Sequence, residues 1–360
     1  MEPAWMRKQL SNRKVGFRLA IVFTLLFLFL VSYTSYKYLF LRHGEFDTCV
    51  EEIAQARVPA VEELARLELE KQAHSLSQYR TALGHNSTHV RSGARQISAS
   101  ELMDMVNMGE SPTPWIVHQS WKDGPLPGHF QKWSDSWKES LNDTWMYVLW
   151  RDEDNRKLVE RYYADYLEVY DSLPREIYRA DMVRNLYMHR FGGIYADLDL
   201  VPVGHLPDHL PFLKYRTPGQ ISMAYLGHMG EDSYEHSIPN AFMASSGLYH
   251  PFWLQPLEYV KMHWNDERYN KQPEELTGPV ALRACVKEWE KGQQKRQDAG
   301  EFAEITVLSN EKIYPFSWYD SPQAHKCLCR THSPHFNELQ CKWAHPNAWT
   351  LTYWTHTWGF

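Results

Sequence analysis

The sequence predicts an α/β fold: a mostly parallel sheet with flanking helices, preceded by an N-terminal transmembrane helix and a helical stem. Three observations predict it. Short apolar runs alternate with helical periods between residues 115 and 199, the pattern of strand–helix repeats. Residues 19–41 carry one charge, Lys37, over about the length that a bilayer core needs. Between Cys49 and Leu83, apolar residues recur at three- and four-residue steps with charges between them, as on a helix face.

The elements follow in chain order. Arg7, Lys8, Arg13, Lys14 and Arg18 precede the apolar run, and Glu45, Asp47, Glu51 and Glu52 follow it. That bias puts residues 1–18 in the cytosol, 19–41 in the bilayer and the rest across it, a single-pass type II arrangement. A cleavable signal peptide fits less well, because the run is long and ends in Tyr and Lys rather than small residues. Residues 42–110 read as stem and linker. Val50, Ile53, Val61, Leu64 and Leu69 mark the helical face, and Pro59 breaks or restarts it. Such a stem either pairs with a copy or another subunit, or packs on its own globular domain. The polar stretch around His85 to Ser98 reads as linker, and residues 111–360 suffice for one substantial core.

In that domain, Trp115–His118, Trp145–Trp150 and Gly192–Asp199 read as strands. Asp152–Tyr163 and Arg179–Arg190 read as helices. On the second helix Asp181, Arg184 and Asn185 share one face, while Met182, Val183, Leu186 and Tyr187 form a buried stripe. The bland reading of Asp181 and Arg184 is a surface ion pair. The sharper one is a grip on sugar hydroxyls at the mouth of the sheet. The strand after it ends in Asp197-Leu198-Asp199 among apolar neighbours, where unpaired carboxylates are costly. Hard divalent cations such as Mg²⁺ and Mn²⁺ take oxygen ligands and leave sites for water and phosphate, so the pair predicts a metal–diphosphate site. A solvated acidic turn is the competing reading.

Net charge is −6, and beyond the short basic tail there is no basic block, which argues against a nucleic-acid partner. Two sequons, at Asn86 and Asn142, suit a luminal location. Cys327, Cys329 and Cys341 cluster, with Cys49 and Cys285 far away. His325, His332, His335 and His345 surround the cluster and raise zinc, but the spacing matches no standard zinc pattern. Disulfides or free thiols are expected instead, with connectivity left open. Most of the 15 tryptophans and 21 tyrosines are expected in the core or facing the membrane.

Three ordered motifs then add a resemblance. Val117-His118-Gln119-Ser120-Trp121, Arg179-Ala180-Asp181 through Arg184, and Gly192-Gly193-Ile194-Tyr195-Ala196-Asp197-Leu198-Asp199 together resemble the glycosyltransferases with a DXD sugar-binding region. That family includes initiating α-1,6-mannosyltransferases and mannosyl inositol phosphorylceramide synthases. The resemblance is good over residues 113–280 and thin over the last eighty. It implies a GT-A fold, a nucleotide-sugar donor, Mn²⁺ (or Mg²⁺) and retention of anomeric configuration. Carried over by position, Asp197, Asp199 and His356 would hold the metal. Asp181, Arg184 and Asn240 would act at the donor sugar. His118, Gln119, Trp121, Arg179, Gly193 and Tyr195 would line the donor side with Asp197. Thr277-Gly278-Pro279 and Trp354–Trp358 resemble later family segments near the donor.

Tyr170 to Asp181 resembles the inositol phosphorylceramide mannosyltransferases, which implies GDP-mannose as donor and a glycolipid or glycan acceptor in the Golgi or endoplasmic reticulum. A UDP-sugar donor, or a silent subunit of a glycosyltransferase complex, are the alternatives. Within that subgroup, additional C-terminal hydrophobic spans are common, and none is seen here.

Overall fold

A computed structural model describes residues 49–70, 93–108, 115–204, 206–209, 222–269, 272–300, 302–317, 319 and 323–355. The apolar run 19–41, stem residues 71–92 with the Asn86 sequon, and His356 lie outside them. No helix among the described residues is long and apolar enough to cross a membrane.

Among the described residues, seven strands form one sheet: β1 (Arg95–Ile97), β2 (Ile116–Ser120), β3 (Met146–Trp150), β4 (Gly193–Ala196), β6 (Ser222–Gly227), β7 (Phe242–Ser245) and β8 (Ala303–Leu308). Their order is β1-β3-β2-β4-β7-β6-β8, and a separate ribbon pairs β5 (Leu200–Pro202) with β9 (Thr350–Thr352). The pairings β1–β3, β3–β2, β2–β4 and β6–β8 are parallel; β7 runs antiparallel to both neighbours. The fold is thus α/β with a mostly parallel sheet. Strands β2 and β3 are covered on both faces, as parallel strands between helical layers must be, and β2 carries His118, Gln119 and Ser120 into that interior. Because β7 is reversed, its entry at Asn240–Ala241 meets the C-terminal ends of β2 and β4.

The sheet begins earlier than residue 111. β1 pairs with β3 from Arg95, and α2 (Ala99–Asn107), capped by the Ser98 side chain, buries Leu102 and Met103. Polar composition conceals β1, since only Ile97 of its three residues is buried. Helix α1 (Cys49–Gln55) packs on the domain through the Cys49–Cys327 disulfide, and Gln340 Nε2 donates to the Pro59 carbonyl at 3.0 Å.

Helices α3 (Gly128–Glu139) and α4 (Asp152–Tyr162) flank the sheet. Aromatic side chains do fill the core: Trp133, Trp137, Trp150 and Trp253 are fully buried. Helix α5 (Glu176–Phe191) carries no apolar stripe opposed to a wet face, because it is buried almost all round from Tyr178 to Met188. It turns into β4 through Gly192 and Gly193, both with positive φ. A Cβ on Gly193 would sit 2.3 Å from the Ile116 carbonyl oxygen, so close approach to β2 requires glycine there. Strand β4 ends at Ala196, and Asp197 to Asp199 form the turn that follows it, not its last residues.

Candidate functional site

A cleft of about 600 Å³ opens at this edge of the sheet, and Trp121, Asp181, Arg184, Tyr195, Asp197, Asp199 and Asn240 all line it. Its floor is a charged network. Arg184, 2% exposed, lies 2.8 Å from Asp181 Oδ1 and 3.1 Å from Asp197 Oδ1, and donates to the Asn240 carbonyl at 2.9 Å. Asn240 Nδ2 donates to Asp181 Oδ1 at 2.9 Å. The pair read as exposed from spacing is therefore buried, where each ion must be compensated by partners rather than water. The Tyr195 ring lies under the Arg184 guanidinium, 4.6 Å from its centroid, and its hydroxyl donates to Asp197 Oδ1 at 2.7 Å.

Burial pushes the Asp181 carboxyl up to about 6, against the pull of Arg184. Burial, then the Asp197 charge, pushes Asp199 to about 6 as well, opposed by hydrogen bonds from Thr355. Burial opposes the charge on Arg184, yet Asp197, Tyr195 and Asp181 outweigh it and hold the guanidinium above its ordinary value. Carboxyls raised by burial inside a cleft mark a candidate site for a cation or polar ligand.

Backbone position here depends on distant elements. The Asp197 amide donates to the Ala241 carbonyl at 2.9 Å, and Gln119 Nε2 donates to the Asp197 carbonyl at 3.2 Å. Asp199 Oδ2 accepts from the Thr355 amide at 2.9 Å and its hydroxyl at 2.8 Å. Asp197 and Asp199 thus offer hard carboxylate oxygens, each carboxylate oriented through one oxygen. That donor set fits Mg²⁺ or Mn²⁺, for which one or two carboxylates suffice beside phosphate and water. Among the described residues, no third His, Cys or carboxylate ligand joins them.

Other predicted residues sit elsewhere. His118 is fully buried, stacked on Tyr187 with centroids 5.5 Å apart. Its Nδ1 accepts from Trp150 Nε1–H at 3.1 Å, so Nε2–H donates to the Gly192 carbonyl at 3.1 Å. Burial holds its pKa down to about 3, against that bond. His118 thereby locks β2, β3 and the α5–β4 turn together, away from the cleft. Gln119 is also fully buried, accepting from the Tyr147 hydroxyl at 2.9 Å, and reaches the site only through Asp197. Arg179 pairs with Glu176 and donates to the Leu173 carbonyl, and Gly193 serves the β2–β4 approach. Neither lines the cleft.

Several lining residues escaped the sequence reading: Arg175, Tyr234, His236, Gln272 and Glu274. Glu274 Oε2 is buried with no hydrogen-bond partner. Gly278 packs the Glu274 turn onto the site, where a Cβ would lie 2.8 Å from Glu274 Cα and 3.3 Å from Asp181 Oδ2. Only the Thr277–Pro279 turn, which opens α6 (Pro279–Lys291), signalled this region in the sequence.

Residues 127–215 match the family model for the glycosyltransferase sugar-binding region containing DXD motif. Over 122 residues the chain is 37% identical to inositol phosphoceramide mannosyltransferase 3 of Schizosaccharomyces pombe, covering 32% of this chain and 33% of that protein. Over 193 residues it is 27% identical to the mannosyl phosphorylinositol ceramide synthase CSH1 of Saccharomyces cerevisiae, covering 51% and 45%. Among solved structures, PaToxG glycosyltransferase aligns with a TM-score of 0.36 and 16% identity, over 56% of this chain and 82% of that one. The matched stretches span between a third and a half of these two fungal proteins' own length. The family read from the three motifs is the one these matches give.

Proposed function

Because residues 127–215 carry this sugar-binding region, we propose that the chain is a metal-dependent, retaining glycosyltransferase of GT-A type, transferring mannose from GDP-mannose to a glycolipid of the inositol phosphorylceramide class. The observation that carries it is the buried Asp181–Arg184 pair, joined to the half-buried Asp197, meeting Asp199 in one cleft. The named fungal relatives supply the sugar and acceptor class.

Asp197 and Asp199 would hold the cation, which neutralises charge on a leaving diphosphate when bound. Arg184 keeps a fixed positive charge at the cleft, favouring anion there without reorganisation. Asp181, held by Arg184 and Asn240, presents its carboxylate toward hydroxyls of a bound hexose. Trp121 and Phe130, both lining the cleft, give apolar surface for a base or sugar face. The donor would be oriented so that the acceptor hydroxyl attacks from the leaving-group side.

We assign the chain to the secretory pathway as a single-pass type II membrane protein with the domain in the lumen. The basic residues before 19–41, the two disulfides and the exposed sequon at Asn142 support this.

The test uses the full chain in detergent with labelled GDP-mannose or UDP-sugars, Mn²⁺, and inositol phosphorylceramide. Mannose transfer that stops on chelation is expected. Turnover of a UDP-sugar alone would replace the donor, and donor binding without any turnover would favour the silent subunit.

A further inference from the structure

The cysteine–histidine cluster near the C-terminus lies outside the cleft and has its own geometry. Helices α7 (Gln323–Cys329) and α8 (Glu338–Ala344) lie side by side. His325 and Cys329 are four residues apart on α7; Cys341 and His345 are four apart across the C-terminus of α8. Four-residue spacing puts each pair on one face. The faces meet: Cys329 and Cys341 form a disulfide, and the two imidazole centroids are 4.5 Å apart. Ligand atoms of Cys329, Cys341 and His345 all lie within 4.8 Å of one another.

The disulfide satisfies the sulfurs and leaves the histidines unexplained. His325 Nδ1 and His345 Nε2 are buried with no hydrogen-bond partner, and His345 is only 7% exposed. A buried polar atom left without a partner is costly, and such atoms in a folded protein call for a reason.

We propose that Cys329, Cys341, His325 and His345 form a second metal site, taking Zn²⁺ when the Cys329–Cys341 disulfide is reduced. Two sulfurs and two imidazole nitrogens are a tetrahedral zinc set, with ligand atoms about 3.5 Å apart. Cys329, Cys341 and His345 need side-chain shifts on the order of 1 Å to reach it, and His325 joins them from the ring packed on His345. In the reduction the disulfide takes two electrons and two protons from a dithiol, itself oxidised to a disulfide. Zn²⁺ then binds two thiolates and two neutral imidazoles, releasing the two thiol protons. A surface cleft of about 260 Å³ lined by His345 gives the ion a way in. The same four residues therefore fasten α7 to α8 in either redox environment.

The experiment uses the full chain in detergent, untreated or reduced with a phosphine, then exposed to Zn²⁺ and desalted. Bound zinc is counted, and iodoacetamide labelling is mapped by mass spectrometry. The reduced chain should retain about one more zinc per chain than the oxidised chain. Zinc should protect Cys329 and Cys341 from labelling, not Cys49 or Cys327. His345→Gln should weaken the extra binding by about tenfold or more. Equal zinc in both states, or protection indifferent to His345→Gln, would overturn the proposal.

Discussion

Replacing Asp181 by asparagine is expected to stabilise the protein while removing its activity. The carboxyl is 6% exposed and sits at about 6 instead of 3.8, with burial outweighing Arg184. A folded-state value above the unfolded one favours folding at low pH, and that contribution is lost as pH rises through about 6. At pH 8 the ionised carboxylate therefore costs the fold up to about 3 kcal/mol relative to its neutral form. Asparagine removes that cost and keeps the oxygen that accepts from Asn240 Nδ2. Arg184 loses one charged partner but retains Asp197 and the Asn240 carbonyl. The net gain should be about 1–3 kcal/mol at pH 8 and close to zero at pH 4.5, a melting shift of about 3–10 °C in a domain this size. Thermal melting of the full chain with chelator, at both pH values, reads it directly. Mannose transfer should fall by about 100-fold or more in the same variant. A variant that melts below the wild type at pH 8, or a shift equal at both pH values, refutes the reasoning.

Three further outcomes are expected. Asp199→Asn should keep the hydrogen bonds from Thr355 and the fold yet lose Mn²⁺-dependent donor binding, measured by titration calorimetry with nucleotide sugar. Gly193→Ala forces a Cβ against the Ile116 carbonyl at positive φ and should cost about 3 kcal/mol or more, read as lost soluble yield or an early melt. Cys49→Ser opens the link to Cys327 and should lower stability by about 2–5 kcal/mol, without changing the donor KM.

Legibility followed sequence distance. The acidic pair and the Asp181–Arg184 spacing are local patterns, and both do line the cleft. Burial of that ion pair was not legible, because the residues that cover α5, such as Asn240 and the Gly278 turn, arrive fifty and more positions later. His118 was misplaced for a related reason. Its motif neighbours Ser120 and Trp121 reach the cleft, but a central parallel strand buries both faces, and His118 falls under Tyr187. Strand β1 has a single buried side chain and no apolar alternation to betray it. Glu274 sits in a four-residue helical turn with no periodicity to read, and only tertiary packing makes its carboxylate part of the site.

The bond between Thr355 and Asp199 spans 156 positions, and it has a consequence in time. During synthesis the acidic turn, α5 and most of the sheet leave the ribosome long before the residues that orient Asp199. A chain halted anywhere ahead of Thr355 would hold most of its core and still lack the clamp on one of its two acidic side chains. The orientation of Asp199 is therefore completed only in molecules that have been read past that point, so the last side chain of this cleft to be fixed is set by nearly the last stretch of chain to be made.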